Sequence, residues 1–136
     1  MYEIELEGTT KKGEKYNASG IYNPNDNTLT ILKDSEWAPS IASGNSGCYK
    51  QIKTFRDEII KRGIVDIAKN KFADNYIRKG EMGGTPISST AKIICGTGQS
   101  TDSWRIKGNN SEKLLDRLEK DGIVVKVGKN RQWIEP

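Results

Sequence analysis

The sequence predicts an α+β fold in which an N-terminal antiparallel β-meander packs on a central helix. Tyr2, Ile4 and Leu6 alternate with glutamates, which is the pattern of a strand with one buried face. Residues 46–62 instead repeat their apolar side chains with the period of an α-helix. A short helix, a third helix and a C-terminal hairpin in residues 119–136 complete the single domain that the sequence predicts.

Two more strands complete the predicted meander. Residues 11–13 have the composition of a turn, and residues 16–22 follow as a second strand. The tract 23–27, Asn-Pro-Asn-Asp-Asn, is a strong turn signal, and the β-branched residues within 28–33 indicate a third strand. Residues 36–47 are rich in Ser, Gly, Pro and Asn, which predicts a loop before the central helix.

The central helix has one apolar side and ends at Gly63. The residues that share the apolar side are Tyr49, Ile52, Phe55, Ile59 and Ile60. Lys50, Lys53 and Lys61 lie towards one flank. Arg56 projects within the apolar side, so its guanidinium must reach solvent, pair with a buried carboxylate or bind an anion in a cleft. Of these three alternatives the sequence favours the buried pair.

Hydroxyl residues open a short apolar helix over residues 88–95, and Gly96 ends it. The free backbone N–H groups of such a helix start can bind an anion. Ser88 and Ser89 would then contribute hydroxyls to the anion site. The alternative is that one of these serines is only the helix N-cap.

An aromatic residue flanked by cations follows the short helix: Trp104 precedes Arg105, and Lys107 comes shortly after. Such a group suits a nucleic-acid base or a phosphate. The alternative is that Trp104 belongs to the core or to a sheet edge. Further along, Ser111 predicts the N-cap of a third helix.

Composition excludes several kinds of catalytic site. The chain has no histidine, which removes a Ser-His-Asp triad, a Cys-His pair and a Cys₂His₂ zinc site. Cys48 and Cys95 lie far apart in sequence, and Cys95 lies on the apolar side of its helix, so we expect a buried reduced thiol. Neither a signal peptide nor a transmembrane segment is indicated. We therefore expect a soluble, cytoplasmic protein with no cofactor and no membrane partner.

The net charge of +4 is unevenly distributed. Residues 1–49 have four Lys/Arg and seven Asp/Glu, a net charge of −3. Residues 50–80 have nine and four, a net charge of +5, and residues 81–136 have nine and seven, a net charge of +2. A basic middle segment of this kind is compatible with a polyanionic partner.

Three short motifs resemble a known family. Residues 31–36, Ile-Leu-Lys-Asp-Ser-Glu, resemble a strand that ends in Leu-Lys-Gly-Ser. Residues 55–65 resemble an arginine-containing helix closed by glycine, and residues 86–91, Pro-Ile-Ser-Ser-Thr-Ala, resemble a Ser-Pro-Ser-Ala-Ala-Ala helix start. The family is the restriction-enzyme adenine-methylase-associated (RAMA) domain, together with its relative often fused to GIY-YIG nucleases. The resemblance covers about residues 16–118 in the same order.

Two positions depart from the family pattern. Asp34 stands where the family usually has glycine, a replacement that a left-handed turn tolerates better for Asp than for most residues. The family's Asn-Gly-Trp-x-x-Trp tract is reduced here to a single tryptophan, Trp104.

The resemblance implies a non-catalytic DNA-binding accessory module, with sensing of modified bases beside a methylase or nuclease subunit as a further expectation. Duplex DNA is the expected partner. The candidate interface consists of Lys50, Lys53, Lys61, Ser88, Ser89, Lys92, Gln99, Trp104, Arg105 and Lys107. In this prediction the cations bind phosphates, and Trp104 reads a base or stacks in a cleft. Ser88, Ser89 and Gln99 are the neighbouring hydrogen-bonding candidates.

Two other classes of protein stay open. A protein-interaction adaptor would use Trp37, Trp104 or Trp133 as apolar anchors. A small metal-dependent hydrolase would need a pair of carboxylates around a metal ion, and the sequence does not reveal such a pair.

Overall fold

The computed structural model describes residues 1–41, 47–80, 86–97, 103–127 and 130–133. In this part the chain forms ten strands and three helices. The strands are β1 (Tyr2–Thr9), β2 (Lys15–Asn23), β3 (Thr28–Ile31), β4 (Val65–Asp66), β5 (Lys71–Phe72), β6 (Tyr76–Lys79), β7 (Arg105–Ile106), β8 (Asn109–Lys113), β9 (Val124–Val127) and β10 (Asn130–Trp133). The helices are α1 (Gly47–Lys61), α2 (Pro86–Cys95) and α3 (Leu114–Lys120). The α+β class is confirmed.

Six strands form one antiparallel sheet in the order β6-β3-β2-β1-β7-β8. The first three strands of the chain are the predicted meander, with Tyr2 opposite Tyr22 and Gly20 opposite Ile31. β6 extends the sheet beside β3, and β7 extends it beside β1. The pairing of β9 with β10 confirms the C-terminal hairpin.

The register assigns the side chains of the sheet to two faces. Successive residues of a strand point to opposite faces, so the buried Ile4 and Leu6 lie on one face and Glu3, Glu5 and Glu7 lie on the other. We call the first the covered face and the second the glutamate face. The alternation at the N-terminus therefore predicted correctly which side chains of β1 are buried.

The short helix α2 packs across β2, β3 and β6, whereas α1 packs against α2 and β4. α2 has ten residues, of which seven are buried, so it has apolar contacts on most of its circumference. α1 is apolar on one side only. The sequence predicted that the longer helix packs on the meander. In the structure the helix that lies directly on these strands is α2, because its apolar surface is nearly continuous.

A glycine ends α1 as predicted, through a Schellman motif. The Gly63 N–H donates to the Ile60 carbonyl at 3.0 Å, and the Ile64 N–H donates to the Ile59 carbonyl at 3.2 Å. Gly63 has a φ of 72°, in the left-handed region that glycine adopts without strain. Asp34 also adopts this region, with a φ of 73°, so the left-handed turn expected at this position is present.

The region of β7 and β8 differs from the prediction. Ser111 lies within β8, and α3 begins only at Leu114, after an extended Lys113 that provides no side-chain cap. Ser111 resembled an N-cap because it stands a few residues before the leucine-rich helix α3. Pairing of residues 109–113 with β7 takes precedence over that local signal.

The core is one cluster in which side chains of the sheet and of all three helices meet. Its largest fully buried members are Trp104, Tyr22, Phe72, Ile4, Leu29, Ile31, Ile59, Ile87, Ile93, Ile94 and Leu114. No helix among the described residues is long and apolar enough to cross a membrane.

We expect Ile59→Ala to lower the free energy of unfolding by about 2–5 kcal/mol, because the substitution leaves a cavity between α1 and the core. Lys61→Ala, on the exposed side of the same helix, should change it by less than about 0.5 kcal/mol. Urea melts of both variants test this expectation. Equal effects would show that α1 packs through a different side.

Candidate nucleic-acid interface

Arg78 of β6 is the residue around which the candidate interface is organised. Leu29 lies opposite Arg78 in the register, and Leu29 is buried on the covered face. Arg78 therefore points to the same side of the sheet as the helices. Because β6 is at the edge of the six-stranded sheet, the guanidinium lies at the rim of the covered face and is half-buried.

Three side chains hold this guanidinium. Arg78 Nε donates to the Ser89 hydroxyl at 2.8 Å, and Arg78 Nη1 donates to the Tyr76 hydroxyl at 3.0 Å. Arg78 Cζ lies 4.0 Å from the centroid of the Phe55 ring. The guanidinium is thus fixed by β6, by the first turn of α2 and by α1. Among the described residues it has no carboxylate partner.

The hydrogen bonds around Arg78 leave a surface made of donors. Ser89 and Tyr76 each accept a hydrogen bond from the guanidinium, so each hydroxyl retains its own hydrogen to donate. Arg78 Nη2 provides two further N–H groups. Donors without acceptors suit an anion, and a planar guanidinium suits the oxygens of a phosphate.

The half-exposed residues of α2 continue this surface. Ser88, Ser89 and Lys92 are the members of α2 that are not buried. Ser88 and Lys92 are four residues apart, so they are neighbours on the helix surface. The structure therefore brings together three of the predicted site residues, and adds Arg78, Tyr76 and Phe55 to them.

The predicted lysines of α1 do not belong to this surface. Lys50, Lys53 and Lys61 are all exposed, on the side of α1 turned away from the buried Ile52 and Ile59. Lys53 Nζ also pairs with Asp57 Oδ2 at 2.9 Å, a hydrogen bond that raises the pKa of Lys53. The charge of this helix side is thus partly balanced within the helix.

Arg105 and Lys107 also lie elsewhere. Arg105 is opposite Glu5 in the register, which places it on the glutamate face, and the Lys107 N–H donates to the Glu3 carbonyl at 3.0 Å. Four strand spacings separate β7 from β6, which is about 19 Å. These two cations therefore cannot join Arg78 in one local site. Gln99 lies outside the described residues.

Trp104 is fully buried between α2 and the sheet. Its indole N–H donates to the Thr90 hydroxyl at 3.0 Å, and the ring passes so close to Gly20 that a Cβ there would lie 3.4 Å from it. The expectation that Trp104 reads a base or stacks in a cleft is wrong, because no part of the ring is exposed. The structure shows the alternative, a core aromatic whose polar atom is satisfied by α2.

Arg56 occupies none of the three environments that the sequence left open. It is buried, with Nε donating to the Ile93 carbonyl at 2.9 Å and Nη2 donating to the Ile94 carbonyl at 3.3 Å. Its guanidinium lies 4.2 Å from the centroid of a Trp37 ring. Burial lowers the pKa of Arg56 to about 10, so the group is still charged at neutral pH. Carbonyls at the end of α2 and an aromatic face stabilise that charge, and the carboxylate of Glu14 adds an electrostatic attraction.

Cys95, the last residue of α2, is buried and free, which confirms the expected burial of its thiol. Burial raises the pKa of Cys95 to about 11, and the Tyr16 hydroxyl is hydrogen-bonded to it. A thiol with such a pKa is almost entirely protonated at neutral pH and is a poor nucleophile.

The anchors expected of an adaptor are also internal, because Trp37 and Trp104 are both buried. The side chain of Trp133 lies outside the described part. For the hydrolase alternative, the described residues contain no group of three Cys, Asp or Glu side chains that could hold a metal ion.

No protein-family model matches the chain, and no curated protein or solved structure matches it either. The resemblance to the RAMA domain thus stays a prediction from the three motifs.

We expect Trp104→Ala to lower the free energy of unfolding by about 3–5 kcal/mol, the cost of a large cavity in the core. Trp104→Phe should cost less, because the ring still fills most of the space and Thr90 keeps its bond to the Pro86 carbonyl. Urea melts followed by circular dichroism measure both. If Trp104→Ala has the same free energy of unfolding as the wild type, Trp104 is not part of the core.

We also expect the stability to depend on pH through Cys95. Its pKa rises from 9.0 to about 11 on folding, so its contribution is complete below pH 9 and is lost as the pH rises from 9 to about 11. At about pH 10.5 the loss should be about 2 kcal/mol.

Urea melts of the wild type and Cys95→Ala at about pH 8 and about pH 10.5 provide the test. The wild type should lose more stability between the two pH values than the variant does. Parallel losses would contradict the burial of this thiol.

Proposed function

We propose that the protein is a non-catalytic DNA-binding accessory module that contacts the phosphate backbone of duplex DNA around Arg78. The observation that carries the proposal is the guanidinium of Arg78, which is held by Ser89, Tyr76 and Phe55 but has no carboxylate partner among the described residues. An arginine fixed in this way loses little conformational entropy when it binds a phosphate.

The surroundings of Arg78 support an extended polyanion. Lys92, Ser88 and Ser89 are the half-exposed residues of α2, the helix that contacts Arg78 through Ser89. Duplex DNA presents phosphates at regular intervals, so neighbouring groups on a protein can contact several of them. The resemblance to RAMA domains supports the same class of ligand, and a methylase or nuclease remains the partner that it implies.

The proposal rests on phosphate contacts and not on base reading. Backbone contacts fix the position of a protein on the duplex but carry no sequence information. Trp104, the residue expected to read a base, is in the core. We therefore expect similar affinities for plain and adenine-methylated duplexes of one sequence.

The test is an anisotropy titration of labelled duplexes with the wild type and Arg78→Gln. If about three to five phosphates are contacted, the logarithm of affinity should fall with the logarithm of salt with a slope near −0.9 per phosphate. Arg78→Gln should weaken binding by about tenfold at low salt and make the slope shallower by about one contact.

Arg62→Gln is the matched control, because it removes the same charge from an exposed position beyond the end of α1. It should change the affinity much less than Arg78→Gln does. Circular dichroism of each variant confirms that it is folded. If the two variants weaken binding equally, binding depends on the net charge of the protein and not on a site at Arg78. Absence of binding at the lowest salt would refute the proposal.

A further inference from the structure

β6 is an edge strand whose outer side is unpaired among the described residues. The Gly80 N–H donates to the Asn27 carbonyl at 2.9 Å, so these two residues form a hydrogen-bonded pair. Hydrogen-bonded pairs alternate along an antiparallel ladder, so the backbone groups of Arg78 point towards β3 and those of Ile77 and Lys79 point away from the sheet. No described residue pairs with these outward groups. Residues 77–79, which we call the open edge, thus offer two N–H groups and two carbonyls to an added strand.

The side chains of the open edge are basic and apolar. Arg78 lies on the covered face, whereas Ile77 and Lys79 lie on the glutamate face. Ile77 is 66% exposed, and neither cation has a carboxylate partner among the described residues. An apolar edge pairs readily with other strands unless charge discourages them. The charges of this edge repel a basic strand and attract an acidic one.

The alternation of the open edge determines which side chains an added strand needs. Residues opposite each other in a ladder point to the same face of the sheet. On the outer side Arg78 lies between two hydrogen-bonded pairs, and a position of this kind has the closest opposite side chains. A carboxylate opposite Arg78 would supply the counterion that no described residue supplies. A second carboxylate opposite Lys79 and an apolar residue opposite Ile77 complete the match. In an antiparallel strand these residues follow in the order acidic, acidic, apolar.

We propose that the open edge binds an extended segment of a partner protein, which pairs antiparallel with β6 and has two acidic residues before an apolar one. Main-chain hydrogen bonds provide the affinity in this mode of recognition, and the alternating side chains provide the specificity. The pairing uses only residues that lie within β6. The proposal goes beyond DNA binding and does not depend on it.

Anisotropy titrations of a labelled synthetic peptide, Thr-Thr-Glu-Glu-Val-Thr-Thr, with the full chain and without DNA test the proposal. The protein concentration extends to about 1 mM, because a short added strand binds weakly. N-methylation of the peptide valine removes the N–H that would donate to the Ile77 carbonyl, and should raise the dissociation constant at least about tenfold. N-methylation of the second glutamate, opposite Arg78, is the matched control. That N–H points away from β6, so the dissociation constant should change less than about twofold.

Lys79→Glu replaces an attraction to the peptide by a repulsion, and should also raise the dissociation constant at least about tenfold. Lys61→Glu makes the same charge change at an exposed position of α1 and should have a much smaller effect. Circular dichroism shows whether both variants are folded.

Absence of peptide binding up to about 1 mM protein would overturn the proposal. Equal effects of the two N-methyl groups would overturn it as well, because charge alone would then hold the peptide. So would equal effects of Lys79→Glu and Lys61→Glu. The peptide titrations contain no DNA, and the DNA titrations contain no peptide, so the two proposals fail separately.

Discussion

The contact of Arg56 with the end of α2 is the interaction on which the arrangement of the helices depends. The last carbonyls of a helix have no partner within it, and at the end of α2 the guanidinium of Arg56 binds those of Ile93 and Ile94. Gly96 makes this possible, because a Cβ there would lie 2.4 Å from the Ser40 carbonyl oxygen and 3.1 Å from Arg56 Nη2. A charged side chain of α1 thus replaces water at a helix end that is buried in the core.

The same contact supports the candidate site. Phe55 precedes Arg56 in α1, so the bonds from Arg56 to α2 also position the backbone from which the Phe55 ring projects. That ring is one of three groups that hold Arg78, and Ser89 of α2 is another. Phe55 and Arg56, two consecutive residues of α1, therefore contact Arg78 and the buried C-terminal end of α2, and Arg78 in turn binds the half-exposed Ser89 in the first turn of α2. The fixed position of the Arg78 guanidinium is therefore a consequence of contacts with the core elements and does not require a ligand.

The sequence predicted correctly those structural features that depend on residues close together in the chain. The alternation of β1, the period of α1 and the left-handed residues Gly63 and Asp34 follow from neighbours in the chain, and they were correct. The environment of Arg78 depends on the pairing of β6 with β3, almost fifty residues earlier, and no local signal determines such a pairing. One local signal was present. Tyr76 and Arg78 are two residues apart, and residues two apart in a strand have their side chains on the same face of the sheet. Trp104 was misjudged for the opposite reason, because its neighbour Arg105 in the sequence points to the other face of the sheet.

Net charge was a poor guide to the site for a related reason. The basic segment 50–80 owes its charge to nine cations, but Arg56 is internal, Lys53 pairs with Asp57, and a further lysine pairs with a glutamate of the preceding loop. Exposed lysines also keep their conformational freedom, so each loses entropy on binding a phosphate. Arg78 differs because folding has already fixed its guanidinium and, within the described part of the chain, has supplied no carboxylate partner. The property that distinguishes the candidate site is therefore an immobilised charge to which no described residue supplies a counterion, and a sum over residues does not measure it.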